Sequence, residues 1–234
     1  MALRLLDVEP DAQYRFVFTP TGNEFPALFE HMGTVRMRVG PERFKVLARE
    51  SLTACIRRNK MIPNFRARFC TRELKIIPYA NYLGELIEQG SQVVSCVGIR
   101  FDEPERETGD YLGLPGIEQR FPLREWKWSL KEVREYLASQ GIVIPDRTDC
   151  AMCFYQRIGE WWNLWKDHPE MFAEALALEK EFGHTFRSPT RDTWPAGLKE
   201  LAERFSSGAV PRGANINADL FDDSASTRCR VCRM

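Results

Sequence analysis

The chain has 234 residues, 44% of them hydrophobic, and its 33 basic side chains balance 33 acidic ones. This length suits one large domain or a domain with a small appendage, and the composition is sufficient for a buried core. No run approaches the ~20 apolar residues of a membrane span, and the first residues lack the pattern of a secretory signal, so we predict a cytoplasmic protein that does not enter a membrane.

The first hundred residues alternate between helical and strand patterns. The predicted elements are the end of a helix at 1–6, a strand at 14–19, helices at 26–36, 41–58 and 79–88, and a strand at 91–99. The last strand, SQVVSCVGI, is nearly continuous in apolar residues, which is typical of a strand covered on both faces. This alternation predicts an α/β fold with a parallel sheet flanked by helices, Rossmann-like in type.

The second half of the chain is mainly helical in pattern. Predicted helices cover 129–140, 154–166, 169–182 and 196–205, and Ser129 with Glu132 forms a capping-box signature at the first of them. The segment 206–226 is rich in Gly, Ser, Asn and Asp and predicts a loop. We therefore predict an α/β domain over 1–148 and a helical, cysteine-bearing region over 149–234.

Positive charge is concentrated between residues 34 and 75. This segment holds twelve Arg or Lys side chains against three Glu side chains, a balance of 12 − 3 = +9 in a chain of zero net charge. Such a concentration indicates an anionic ligand, either a nucleotide, a sulfonucleotide or a nucleic-acid backbone. A solvated basic helix face is the alternative.

Two CxxC pairs are the strongest chemical signal in the chain: Cys150 with Cys153, and Cys229 with Cys232. Each pair can present two thiolates to one ion, and four thiolates suit an iron–sulfur cluster or zinc. The aromatic and aliphatic residues around the first pair favour a 4Fe–4S cluster, with zinc as the alternative. A redox dithiol and incidental thiols remain open, because the pairs are farther apart than in a zinc ribbon.

Cys70 stands in the stretch CTRELK, close to Arg72 and Lys75. Neighbouring cations lower the pKa of a thiol and make its thiolate more available. Cys70 is therefore a candidate reactive cysteine or an additional thiol near the metal, and a small buried residue is the alternative.

Two loops that follow predicted strands are candidate anion sites. Arg100 and Arg106 come just after the strand at 91–99, and Thr21 and Gly22 come after the strand at 14–19. Ligands of open α/β sheets bind at this edge, and the guanidinium fork suits phosphate or sulfate oxygens. A salt-bridged loop is the alternative for the two arginines.

Taken in order, FVFTPTGNEFP, CTRELKIIP and VGIRFDEPERE resemble the successive motifs of the phosphoadenosine phosphosulfate reductase family. That family belongs to the adenine-nucleotide alpha-hydrolase-like, pyrophosphate-loop superfamily. The later segment CAMCFYQRIGEWWNLWKDHPE resembles a subgroup common in phages and mobile elements.

Three features depart from the family pattern. The pyrophosphate loop SGGxDS is absent, although it should lie directly before the helix that residues 1–6 complete, so we expect the α/β domain to be N-terminally incomplete. Pro20 replaces the aspartate that usually precedes the Thr–Gly pair. RCRVCRM stands where sulfonucleotide reductases have the motif with their catalytic cysteine.

The resemblance implies adenine-nucleotide-dependent sulfur transfer or reduction, with ATP or phosphoadenosine phosphosulfate as the nucleotide and nucleic acid as a possible partner. It implies catalytic roles for Cys70 and Lys75, nucleotide contacts from the residues Thr21, Gly22, Arg72, Arg100 and Arg106, and a metal site at the two CxxC pairs. The alternative is a non-catalytic family member that binds a nucleotide, a nucleic acid or a protein.

Overall fold

The computed structural model describes residues 1–106 and 113–214, and the structural statements below concern these residues. The helices are α1 (Ala2–Val8), α2 (Pro26–Val39), α3 (Leu52–Asn59), α4 (Phe69–Thr71), α5 (Ile77–Glu88), α6 (Pro122–Glu125), α7 (Leu130–Ser139), α8 (Ile158–Asp167), α9 (Pro169–Phe182) and α10 (Leu198–Ser206). The strands are β1 (Phe16–Phe18), β2 (Phe44–Val46), β3 (Val93–Cys96) and β4 (Ile117–Arg120). Within this part of the chain, no helix combines the length and the apolar character that crossing a bilayer requires.

The strands form two parallel pairs, and the predicted α/β class is confirmed. Strand β1 pairs with β2, with Phe16 opposite Phe44. Strand β3 pairs with β4, with Val93 opposite Ile117. Both pairs are joined through crossover segments, as parallel strands require.

The prediction of one helix over 41–58 is wrong. Residues Phe44–Val46 form strand β2 because they pair with β1, and a single turn of 3₁₀ helix, Pro41–Arg43, precedes them. Helix α3 begins only at Leu52, where the Ser51 hydroxyl accepts a 3.1 Å hydrogen bond from the N–H of Ala54. The capping box of α7, by contrast, is present as predicted.

One long helical segment runs from α4 to α5 through a π-helical turn, Arg72–Ile76. In this turn the N–H of Ile77 bonds to the carbonyl of Arg72, five residues earlier. Pro78 follows directly and has no N–H that could donate to the Leu74 carbonyl. The π-helical turn therefore lies where the regular series of α-helical hydrogen bonds is interrupted. Cys70 lies before this turn and Lys75 within it.

The main hydrophobic core joins the first and last parts of the described chain. Its buried members include Phe25, Leu52, Cys55, Ile56, Ile62 and Leu74 together with Met152, Trp161, Leu164, Phe172, Leu178, Phe186, Leu198, Leu201 and Phe205. The side chains of Trp161, Leu178 and Leu198 are fully buried. Helices α8, α9 and α10 thus cover the same core that holds the first CxxC pair in place.

Candidate functional site

A small cavity lies where three segments meet: the loop after β1, the segment from α4 into the π turn, and the loop with the first CxxC pair. Its volume is about 20 Å³, room for about one water molecule. Five predicted site residues line it: Thr21, Cys70, Lys75, Cys150 and Cys153. We call this cavity the thiol pocket. It brings together residues that are far apart in sequence.

Backbone pairing attaches the CxxC loop to the loop after β1. The N–H of Ala151 donates to the carbonyl of Asn23 at 2.8 Å, and Glu24 forms an isolated antiparallel bridge with Cys150. The Thr21 hydroxyl then lies 3.1 Å from the sulfur of Cys150. These contacts fix the first cysteine of the pair beside the predicted nucleotide-contacting loop.

Glu24 is a site residue that our sequence reasoning missed. Its carboxylate is buried and accepts hydrogen bonds from the Thr21 N–H at 2.7 Å and the Thr21 hydroxyl at 2.8 Å. The signal was present in the sequence, because Thr and Glu three residues apart form the pattern of a capping box. Glu24 holds Thr21 in the orientation that reaches Cys150.

Burial dominates the protonation of all three thiols. It raises the pKa of Cys150 to about 11, although Lys75 and the hydrogen bond to Thr21 act in the opposite direction. It also raises the pKa of Cys153, with further increases from Asp149 and Cys150. Without a bound metal, these two thiols are therefore protonated at neutral pH.

The expectation that nearby cations lower the pKa of Cys70 is wrong in its net direction. Burial raises this pKa more than hydrogen bonds from Thr71 and the charges of Lys75 and Arg68 lower it. A reactive Cys70 therefore needs a partner that stabilises its thiolate, such as a metal ion, or a change that brings more charge toward it.

The cysteine sulfurs of the thiol pocket are donors of the type that zinc and iron–sulfur clusters use. The sulfurs of Cys70, Cys150 and Cys153 are not all within 4.8 Å of one another, whereas a tetrahedral zinc site with Zn–S of about 2.3 Å needs sulfurs about 3.8 Å apart. The spacing is thus wider than a single zinc ion uses. The cavity of about 20 Å³ is also too small for a cluster unless its walls move apart. The second pair, Cys229 and Cys232, lies outside the described residues.

A much larger cleft, which we call the central cleft, separates the β1–β2 pair from the β3–β4 pair. Its volume is about 1240 Å³. Consecutive residues of both strands line it, including Phe16 with Val17 and Val93 with Val94. Because neighbouring residues of a strand point to opposite faces, this pattern means that the strand edges themselves border the cleft.

Three predicted anion-binding residues line the central cleft: Arg72, Lys75 and Arg106. Lys75 lines both the central cleft and the thiol pocket. The guanidinium of Arg106 also pairs with buried Glu103 at 3.0 Å. A ligand in the cleft can therefore reach one cation that is shared with the thiols.

Gly22 and Arg100 line neither of these two cavities. Gly22 adopts φ +73°, which favours glycine, and a Cβ there would lie 3.3 Å from Ser51. The Arg100 guanidinium bonds to Asp102 at 2.8 Å and lies 3.7 Å from Glu103. Their predicted contacts with a nucleotide stay predictions.

A second group of candidate metal ligands, Glu50, Cys55 and Glu73, has its donor atoms within 4.8 Å of one another. Arg58 bonds to both carboxylates, and Asn59 donates to Glu73 at 3.0 Å. Burial and the nearby Glu73 raise the pKa of Cys55 to about 12. One guanidinium thus bridges both carboxylates and offsets one of their two negative charges, so the cluster forms a structural ion network.

Comparison with known proteins gives one partial match. The argininosuccinate synthase of Bacillus velezensis is 35% identical to this chain over 89 residues, which are 37% of the chain and 21% of that relative. The chain therefore spans about a fifth of the relative's length. No family model and no solved structure matches the chain. The match supports a relationship at the level of the adenine-nucleotide alpha-hydrolase superfamily and does not reach the phosphoadenosine phosphosulfate reductase family.

Proposed function

We propose that this chain is a phosphoadenosine phosphosulfate reductase-like protein that uses an adenine nucleotide in sulfur transfer or reduction. The observation that carries the proposal is the position of Lys75, which lines both the central cleft and the thiol pocket. One ammonium group can then neutralise a phosphate on one side and favour a thiolate on the other. The superfamily relationship to an argininosuccinate synthase supports the choice of an adenine nucleotide.

Different side chains act in the two cavities. Arg72, Arg106 and Lys75 bind the phosphates of ATP or phosphoadenosine phosphosulfate in the cleft, where guanidinium groups give bidentate contacts. Cys70 is the candidate catalytic thiol, because it lines the thiol pocket together with Lys75. Lys75 lowers its pKa, and a change in the pocket has to overcome the opposing effect of burial.

In this proposal Cys150 and Cys153, together with Cys229 and Cys232, would hold a 4Fe–4S cluster, with zinc as the alternative, once the walls of the small cavity move apart. A bound cluster would supply a site for electrons or for a sulfur atom. The buried thiols at Cys150 and Cys153 support this site, because a metal compensates the cost of deprotonating them in an apolar surrounding.

An anaerobic preparation of the parent chain tests this proposal. We expect iron and acid-labile sulfide near four atoms each per chain, and binding of ATP in calorimetry. Lys75→Met should weaken ATP binding, whereas Lys60→Met, which replaces an exposed lysine outside both cavities, should not. Zinc in place of iron would select the alternative metal, and a parent chain that binds neither nucleotide nor metal would refute the proposal.

A non-catalytic role is the competing function, and the buried, protonated thiols favour it. Such a family member would bind a nucleotide, a nucleic acid or a protein without turnover. Iodoacetamide labelling with and without ATP separates the two functions. Faster labelling of Cys70 in the presence of ATP supports catalysis, and unchanged slow labelling supports the binding role.

The division into an N-terminally incomplete α/β domain over 1–148 and a cysteine-bearing region over 149–234 also belongs to this proposal. The central cleft supports it, because two strand edges face each other across a space with no strand between them in the described residues. Met1 and Ala2 also line this space. Translation of the codons upstream of Met1 tests the idea: an in-frame apolar strand followed by SGGxDS supports it, and an in-frame stop codon refutes it.

A further inference from the structure

We propose that an aromatic surface beside the thiol pocket binds a base of a single-stranded nucleic acid. The surface consists of Phe65, Tyr155 and the cations Arg66, Arg68 and Arg191, and we call it the aromatic platform. The proposal that this surface binds a base rests on the contacts of the platform residues themselves.

Phe65 is the exposed centre of this platform. Its side chain is 50% exposed, although it packs edge-on against Tyr155 with ring centroids 4.8 Å apart and against Phe154 at 5.3 Å. Two rings thus hold its orientation while a large part of it stays open to solvent. A ring held in this way can stack on a base at little additional cost in side-chain entropy.

The backbone on both sides of the platform is fixed. The Asn64 side chain accepts hydrogen bonds from the N–H groups of Arg66 and Ala67, at 2.9 and 3.1 Å. On the other side, Arg191 donates to the carbonyls of Phe154 and Tyr155, at 3.0 and 2.8 Å. The platform is therefore preformed in the protein without a ligand.

Its charge suits a polyanion. The guanidinium of Arg68 lies over the Tyr155 ring at 5.7 Å, and that of Arg191 lies over the Phe65 ring at 6.0 Å. Arg66 is exposed, and no ion pair with it occurs among the described side chains. Aromatic rings interleaved with cations are the combination that single-stranded nucleic acids use, because every base has a face for stacking and every link carries a phosphate.

The aromatic platform lies next to the thiol pocket. Tyr155 and Phe154 follow Cys153 directly in the chain, and both line the thiol pocket. A base stacked on Phe65 would therefore lie at the wall of the cavity that holds the three cysteines. Recognition by stacking also selects single strands, because the bases of a duplex are already stacked on one another.

Fluorescence anisotropy with a labelled RNA strand of about 12 nucleotides, a length within the usual site size, tests the proposal. We expect the parent chain to bind this strand more tightly than the matching duplex or a strand with abasic positions. Phe65→Leu should weaken binding about fivefold or more, because fivefold is about the smallest effect expected when one base loses its stacking partner. Arg66→Gln should reduce the slope of log K against log salt by about one.

Phe101→Leu and Lys180→Gln are matched controls, since these residues are exposed and lie outside both the platform and the basic segment 34–75. Each should bind the strand within about twofold of the parent, and circular dichroism should show that every variant is folded. Equal binding of Phe65→Leu and the parent, equal binding of duplex and single strand, or no binding of any nucleic acid would overturn the proposal. ATP binding by the same variants should match the parent, so a failure of the platform is distinguishable from a failure of the nucleotide site.

Discussion

The Thr21 hydroxyl lies 3.1 Å from the sulfur of Cys150, although 129 positions of sequence separate the two residues. This contact joins the loop after β1, where a nucleotide-binding motif is predicted, to the first cysteine of the CxxC pair. Both residues are buried, so the contact lies in an environment where a hydrogen bond affects protonation strongly. The chemistry of the thiol is therefore coupled to the conformation of the loop.

Thr21→Val should raise the pKa of Cys150 above its present value of about 11, because the contact between the Thr21 side chain and the Cys150 sulfur lowers it. The variant should also lose about 1–3 kcal/mol of stability, since the buried Glu24 carboxylate loses its hydroxyl partner. The rate of Cys150 alkylation against pH and urea unfolding measure the two effects. Thr34→Val is the control, because that exposed hydroxyl bonds only to the carbonyl of Glu30. An unchanged alkylation profile would contradict the assigned hydrogen bond.

The metal-free protein should lose stability at alkaline pH. The pKa of Cys150 is about 11 in the folded state against 9.0 for an ordinary thiol, so the folded state holds this proton more tightly. Its contribution is fully present below about pH 9 and is lost as the pH rises toward about 11, at about 1.4 kcal/mol for each pH unit. Urea midpoints across this range measure the loss.

A matched variant identifies the groups responsible for this alkaline loss. In Cys150→Ser/Cys153→Ser the decline should be shallower, because the two hydroxyls do not titrate in this range. A metal-loaded sample should also lack the decline, since its thiols are already deprotonated. A parent chain whose stability is constant up to about pH 11 would show that the thiols are not buried as described.

The sequence alone located most helices, because their signals are local. The capping box of α7 and the start of α9 at Pro169 depend on residues within one helical turn. Strand β2 was missed because Phe44–Val46 also fits the apolar face of a helix, and only its pairing with β1 decides the outcome. Strand β4, with the residues IEQR, has almost no apolar pattern to detect.

The candidate site, too, could be predicted only in part from the sequence. The residue types of Cys70, Lys75, Cys150 and Cys153 could be selected from motifs, and the fold places all four around one cavity. Their protonation could not be derived from sequence, because the cations beside Cys70 are visible there and its burial is not. The opposite directions of these two effects explain why the expected pKa had the wrong sign.

Two arginines of the loop after β3 should affect nucleotide binding differently. Arg106 lines the central cleft, whereas Arg100 is 14% exposed in its side chain and bonds to Asp102 and Glu103. Arg106→Ala should therefore weaken ATP binding about tenfold or more, as expected for the loss of a charge-assisted contact. Arg100→Ala should lower stability without weakening ATP binding, whereas Arg106→Ala should lower both, because Arg106 also pairs with buried Glu103 at 3.0 Å. Calorimetry and thermal unfolding of both variants measure this difference, and the reverse order of effects would assign the phosphate contact to Arg100.

The π-helical turn before Pro78 should determine where Lys75 points. Pro78→Ala restores the N–H that the Leu74 carbonyl lacks, so the turn can close into a regular α-helix. Relaxing this turn would rotate Lys75 around the helix axis by about 100°, the angle of one residue, and move it away from the boundary between the two cavities. We expect weaker ATP binding and slower labelling of Cys150 at alkaline pH, with unchanged or higher thermal stability. Pro169→Ala is the control, because that proline begins α9 and lies outside both cavities. If Pro78→Ala binds ATP like the parent while Lys75→Met does not, the position of Lys75 depends on other contacts than the π turn.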